Sequence, residues 1–168
     1  MTTTTTKKAA ARGNGKAAHA NESAKLVAGF GQQMAMIEFR PDGTILTANE
    51  NFLKAVGYAP AEIEGQHHRM FVAADHATSA EYREFWARLG TGTPSTGEFP
   101  RVAKGGRPIW IQATYFPVTD EAGKVYYVVK FATEITAQRA AAAAARRASD
   151  AMDAVATNVL VCDADFKV

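Results

Sequence analysis

Three long β-runs limit most tightly what this chain can fold into. "TGEFPRVA" (96–103), "PIWIQATYFPV" (108–118) and "KVYYVVKFAT" (124–133) are rich in β-branched and aromatic residues, and only "KGGR" and "TDEAGK" part them. Connections that short join antiparallel neighbours, because a parallel crossover needs a dozen residues or more. A three-stranded meander is therefore expected. In its middle strand Ile109, Ile111, Ala113 and Tyr115 share one side, and Trp110, Gln112, Thr114 and Phe116 the other. In the last strand Val125, Tyr127, Val129 and Phe131 oppose Tyr126, Val128, Lys130 and Ala132. Neither side is polar, whereas a half-solvated sheet shows one wet face. One face is expected to pack on helices and the other beneath an N-terminal lead-in helix or a second subunit. Trp110, Phe116 and Tyr126 are the candidate contacts for a homodimer. A few exposed aromatics are the plainer alternative.

The segments upstream complete the pattern. "MAMIEF" (34–39) and "TILTA" (44–48) flank "RPDG", in which Asp42-Gly43 is a hairpin signal. Asn49 is a suitable N-cap for a helix with Phe52, Leu53 and Val56 on its apolar face, and Gly57 ends it. Pro60 opens a second short helix, "PAEIEG". In "SAEYREFWARLGTG", Tyr82, Phe85, Trp86 and Leu89 follow i, i+3, i+4, i+7 spacing. Two strands, a helical block and three strands make an α+β fold.

The flanks read differently. Residues 1–21 hold no large apolar residue after Met1 and are expected to form a disordered tail. Leu26, Val27 and Phe30 mark a lead-in helix over 22–33, weakened by Gly29 and Gly31. The folded domain spans 34–136. An alanine-rich helical linker follows over 137–157, without the large a/d residues of a self-sufficient coiled coil. "LVCDADFKV" (160–168) lies over "IEFRPDGTI" (37–45) without a gap, so 158–168 reads as the start of a second, truncated copy.

Charge and motifs exclude several functions. The net charge of +2 gives no case for nucleic acid. Cys162 is the single cysteine, so there is no internal disulfide, which fits a reducing cytoplasm. No apolar run approaches the ~20 residues of a membrane span. A soluble, cytoplasmic chain is expected. Nor is it expected to be an enzyme: "GTGTPSTG" (90–97) lacks the Lys-Ser/Thr of a phosphate loop, and neither G-x-S-x-G nor His-Glu-x-x-His occurs. His67-His68 lie in a polar loop and read as surface residues, with heme ligation as the alternative.

Residues 34–136 resemble PAS domains, in particular the PAS modules of soluble, tandem-PAS chemotaxis transducers of the aerotaxis and biofilm-dispersion kind. The likeness is carried by "IEFRPDGTILTANENFLKAVGYAPAEIEGQHHRMF", "YREFWARLGTGTPSTGEFPRVAKGGRPIWIQATYFPV" and "DEAGKVYYVVKFATEIT". It implies a five-stranded antiparallel sheet with short helices over one face, enclosing a cavity. It also implies sensing of redox state, oxygen or a small molecule, with output through the helix after Thr136. A methyl-accepting signalling domain and a chemotaxis kinase array would be the partners. In flavin-binding members, positions matching Asn49, Tyr82 and Trp86 face FAD. The fourth such position falls near Arg101, which departs from the pattern and either bonds the flavin or points to solvent. "ATEIT" resembles the closing D-x-T of many PAS domains, with Glu134 replacing the Asp and Thr136 kept. A cofactor-free dimerisation module, or the sensor of a histidine kinase or cyclic-nucleotide enzyme, are the other readings that this fold allows.

Overall fold

Short turns do produce antiparallel neighbours. A computed structural model describes Gly29 and residues 33–164, with side chains as far as residue 155. Strands β1 (Ala35–Phe39), β2 (Ile45–Ala48), β3 (Ser95–Val102), β4 (Pro108–Thr119) and β5 (Val125–Glu134) form one sheet in the order β2-β1-β5-β4-β3. The first hairpin thus adds to the meander through β1 and β5, which places β5 at the centre. The expected tail over 1–21 falls outside the described residues, as does the lead-in helix apart from Gly29 and Gln33.

The helical block lies between β2 and β3. Helix α1 (Glu50–Val56) begins at Asn49, whose side chain accepts from the Phe52 amide, and ends where Gly57 turns left-handed at φ 76°. Pro60 opens α2 (Pro60–Ile63). A 3₁₀ turn (His68–Phe71) and the short α3 (Ala74–Ala77) follow, and neither has a sequence period. Helix α4 (Ala80–Gly90) is capped by Ser79 and buries Tyr82, Trp86 and Leu89, the face that its spacing predicts.

The sheet's inner face carries Ile37 and Phe39 of β1, Ile109, Ile111, Ala113 and Tyr115 of β4, and Val128 and Ala132 of β5, all buried. The alternation sorted these sides correctly with two exceptions. A register shift between Val118 and Thr119 breaks the parity of β5. Val125 therefore turns inward while Tyr126 stands 57% exposed instead of following Val128. The side shared by Val128, Lys130 and Ala132 is also the buried one, so Lys130 lies in the core at 1% exposure.

Helix α5 (Thr136–Ala164) corrects the chain's last boundary. It runs 29 residues, beyond the linker expected to end at 157. Residues 160–164 are helical where a strand was expected, and 165–168 lie outside the described residues. A helix closes its hydrogen bonds within itself, whereas a strand needs a ladder partner, and helix propagation from an alanine run is favourable.

Candidate functional site

A polar cluster lies where an apolar core is expected. His68 is fully buried, although its sequence neighbours Gln66, His67 and Arg69 are polar. Its Nδ1 lies 2.9 Å from Tyr82 Oη and its Nε2 3.0 Å from Tyr115 Oη. Arg101 Nη2 donates to the same Tyr115 oxygen at 3.2 Å, and Nη1 donates to the Pro100 carbonyl at 2.7 Å. Lys130 places Nζ 5.1 Å from the centre of the Tyr115 ring and 5.4 Å from that of Phe52. Phe39 and Trp86 pack edge-on to the imidazole. With Tyr115 accepting from Arg101, its own proton can go to His68 Nε2, and His68 then donates from Nδ1 to Tyr82.

The electrostatics follow from burial among cations. Burial, then Lys130 and Arg101, hold His68 neutral well below its ordinary value of 6.5. Burial pushes Tyr82 up to about 12. At Tyr115 burial acts upward, but Lys130 and Arg101 together outweigh it and lower the phenol. Burial lowers Lys130, with Tyr115 opposing. No carboxylate acts on His68, Tyr115 or Lys130 among the described residues.

The four expected site residues are not brought to one pocket, although Tyr82 and Arg101 share a groove between α4 and β3. Asn49 Oδ1 accepts from both Phe52 N and Met36 N at 2.9 Å, and Nδ2 donates to the Met34 carbonyl at 2.8 Å. The side chain both caps α1 and clamps the start of β1, so these polar atoms serve the backbone. Tyr82 and Trp86 border a surface cleft of ≈ 400 Å³ near the β1–β2 turn. Trp86 Nε1 is buried without a partner of hydrogen-bond geometry, although the indole is near enough to Tyr82 to lower that phenol slightly. Arg101 points inward rather than to solvent and lines a cavity of ≈ 20 Å³ between α1, the 3₁₀ turn and the sheet. Lys130 and Glu134 line it too. Glu134 Oε1 accepts from Thr136 Oγ1 at 2.9 Å and lies 3.6 Å from Arg107, while Trp110 N donates to Thr136 Oγ1 at 3.0 Å. The longer acid still reaches the sheet, through Arg107 and Thr136.

Similarity to known proteins agrees with this architecture. Residues 45–132 match the family described as PAS fold, more than half of the chain. The chain belongs to the PAS family. Its PAS domain is 45% identical over 105 residues to the biofilm dispersion protein BdlA of Pseudomonas aeruginosa, covering 62% of this chain and 25% of that one. It is 31% identical over 98 residues to the aerotaxis receptor of Escherichia coli, covering 58% of this chain and 19% of the receptor. The chain thus spans a quarter or less of these relatives. Among solved structures, a PAS domain from Colwellia psychrerythraea superposes with TM-score 0.58 at 20% identity, over 67% of this chain and 96% of that one. A light-oxygen-voltage domain studied with a flavin analogue gives 0.56 at 21% identity, over 71% and 90%. Among the described residues no helix is long and apolar enough to cross a membrane.

The PAS interior does not fit a flavin as it stands. A cavity of ≈ 20 Å³ has room for about one water, whereas drug-sized ligands occupy about 300–1,000 Å³. Phe39, His68, Tyr115 and Trp86 fill the space beneath the helices with ring-to-ring contacts. Seating a tricyclic ring would displace them and break the His68 hydrogen bonds. Heme fares no better. Both His68 nitrogens have hydroxyl partners, and those of His67 bond Asp42 O and Arg69 N. The reading of both histidines as surface residues fails for His68, because Tyr82 and Tyr115 supply the polar partners that permit burial.

Proposed function

We propose that this PAS domain is the non-enzymatic sensory module of a cytoplasmic chemotaxis or energy-taxis transducer, with α5 as its output. One observation carries the reading. Glu134 lines the interior cavity and also holds Thr136, the first residue of α5. A change of charge or occupancy in the cavity therefore acts on the same side chain that fixes the helix. Trp110 shares the joint, accepting from the Ile135 amide at 2.8 Å and donating to Thr136. Such a joint signals only if its contacts differ in energy between the two states of the sensor. A methyl-accepting domain and a chemotaxis kinase array downstream are part of this proposal, and similarity to the biofilm dispersion protein and the aerotaxis receptor supports it. A histidine kinase or cyclic-nucleotide enzyme as the output is the rival.

The test is Glu134→Gln in the full-length transducer, with kinase output as the readout. We expect a folded protein whose output no longer follows the stimulus; unchanged output would overturn the reading. The FAD that the family resemblance implies has a separate test. The proposal is a PAS domain that purifies colourless and gains no flavin absorption on incubation with FAD. A yellow protein would show that the interior opens for the ring.

A further inference from the structure

We propose that the cavity between α1, the 3₁₀ turn and the sheet is a binding site for a single-atom monoanion, a halide such as chloride, held by Arg101 and Lys130. This rests on the sensory reading above and names the class of ligand that the module would sense.

The first support is charge. Arg101 and Lys130 are 6% and 1% exposed, and both line the cavity. Isolated buried charges are costly unless paired. Arg101 and the Tyr115 phenol are the groups that act on Lys130, and no carboxylate acts on Lys130, Tyr115 or His68 among the described residues. Glu134, the one acid on the cavity wall, is a third exposed and directs its Oε1 to Thr136 and Arg107. The second support is an orphan donor. Arg101 Nε is buried with no partner, although both terminal nitrogens of its guanidinium are engaged. A water could satisfy Nε but would leave two positive charges uncompensated. An anion does both, because an anionic acceptor forms the stronger, charge-assisted bond. The third is size and access. A cavity of ≈ 20 Å³ admits an ion about as large as water and excludes a dicarboxylate or a phosphate ester. Arg101 also borders a groove of ≈ 310 Å³ between α4 and β3, open to solvent, so it stands between the cavity and a route of entry. A negative charge seated there also approaches Glu134, which connects occupancy to the α5 joint.

The experiment is thermal denaturation of the 168-residue chain titrated with sodium chloride or sodium fluoride, against sodium gluconate at equal ionic strength. Gluconate is too large for the cavity. The expected result is a saturable rise of Tm with at least one small anion and none with gluconate. Arg101→Gln should weaken that binding about 10- to 100-fold, the loss expected for a hydrogen bond to a charged group. Lys130→Met, which keeps the core filled, should weaken it as well and covers the case in which Arg101→Gln fails to fold. Equal shifts with gluconate would overturn the proposal, and so would small-anion shifts that persist in both folded variants. The near-ultraviolet absorption of an ionised tyrosine at neutral pH, abolished by Tyr115→Phe, would also overturn it by revealing an internal counterion. The two readings fail separately. An output that follows Glu134→Gln with no anion bound sinks the ligand alone. Anion binding with an output indifferent to Glu134→Gln sinks the sensory role alone.

Discussion

Gly43 shows how a single residue holds the site's upper edge. Its φ is 92°, and a Cβ there would lie 2.8 Å from His67 Nε2 and 2.9 Å from Trp86 Cε2. Gly43→Ala therefore adds left-handed strain to a clash with two rings, and we expect a loss of about 1–3 kcal/mol in urea unfolding. His68 gives the domain a pH dependence of definite sign. The unfolded chain protonates this imidazole near its ordinary value of 6.5, while the folded chain resists protonation to a much lower pH. The unfolded state then binds more protons in that window, and acidification favours it. Stability should fall by up to ~1.4 kcal/mol per pH unit below the ordinary value, and His68→Phe should flatten that slope in urea midpoints taken between about pH 5 and 7. His67, lowered by its partial burial, adds a smaller effect of the same sign. Lys130→Met should raise stability by about 1–4 kcal/mol, since an apolar side chain of similar length escapes the desolvation of a buried ammonium. A chain that keeps a destabilising lysine in its core has a use for the charge. The aromatic members Tyr82, Trp86 and Tyr115 are legible from period, but Lys130 and His68 are not. A lysine within a strand of mixed parity and a histidine between polar neighbours both read as solvent-facing. Their burial depends on Tyr115, which is 47 positions from His68.

At the scale of elements, the strands, the turns and the spacing of α4 are readable, because period and capping are local properties. Asn49 was readable as a cap for the same reason. Its second task, clamping β1 through Met34 and Met36, was not, because that contact exists only once the hairpin has folded back. The 3₁₀ turn and α3 were missed because segments of four residues carry too little periodicity to stand out. The last boundary failed in the opposite way. A nine-residue likeness suggested a strand, and the preceding run of alanines carries the helix through it to Ala164. The joint at the base of α5 is the element-scale feature that function needs most. Thr136→Val removes the acceptor of the Trp110 amide and the donor to Glu134 while keeping the side chain's shape. Hydrogen exchange should speed up at Trp110 and in the first turn of α5, with a stability loss of about 1 kcal/mol and little change in the central strands.

At the scale of the whole molecule, the outer sheet face decides how two copies would meet. Trp110 offers less free surface there than its place in β4 suggests, because Arg139 of α5 lies 3.8 Å above its ring and pairs with Glu98. Phe116 and Tyr126 are the most open large apolar side chains on the described sheet, 54% and 57% exposed, with Leu46 of β2 less so. A twofold dimer uses one patch twice, so a single substitution removes two contacts, and an interface of standard size buries about 1,600 Å² in total. Phe116→Glu would place a charge in each half of such an interface at little cost to the monomer, whose core this ring does not enter. If the outer face joins two copies, light scattering at matched concentration should give half the mass for the variant, with the thermal midpoint at high dilution unchanged. An equal mass for both proteins would remove this face from the interface and leave the segment before residue 33 as the candidate for pairing. Trp110→Glu is the poorer probe, since it would also unseat Arg139 and disturb the α5 joint. Because that joint borders the same face, a dimer formed there would hold two output helices beside two Glu134 side chains, and each copy's cavity would report to a paired rod.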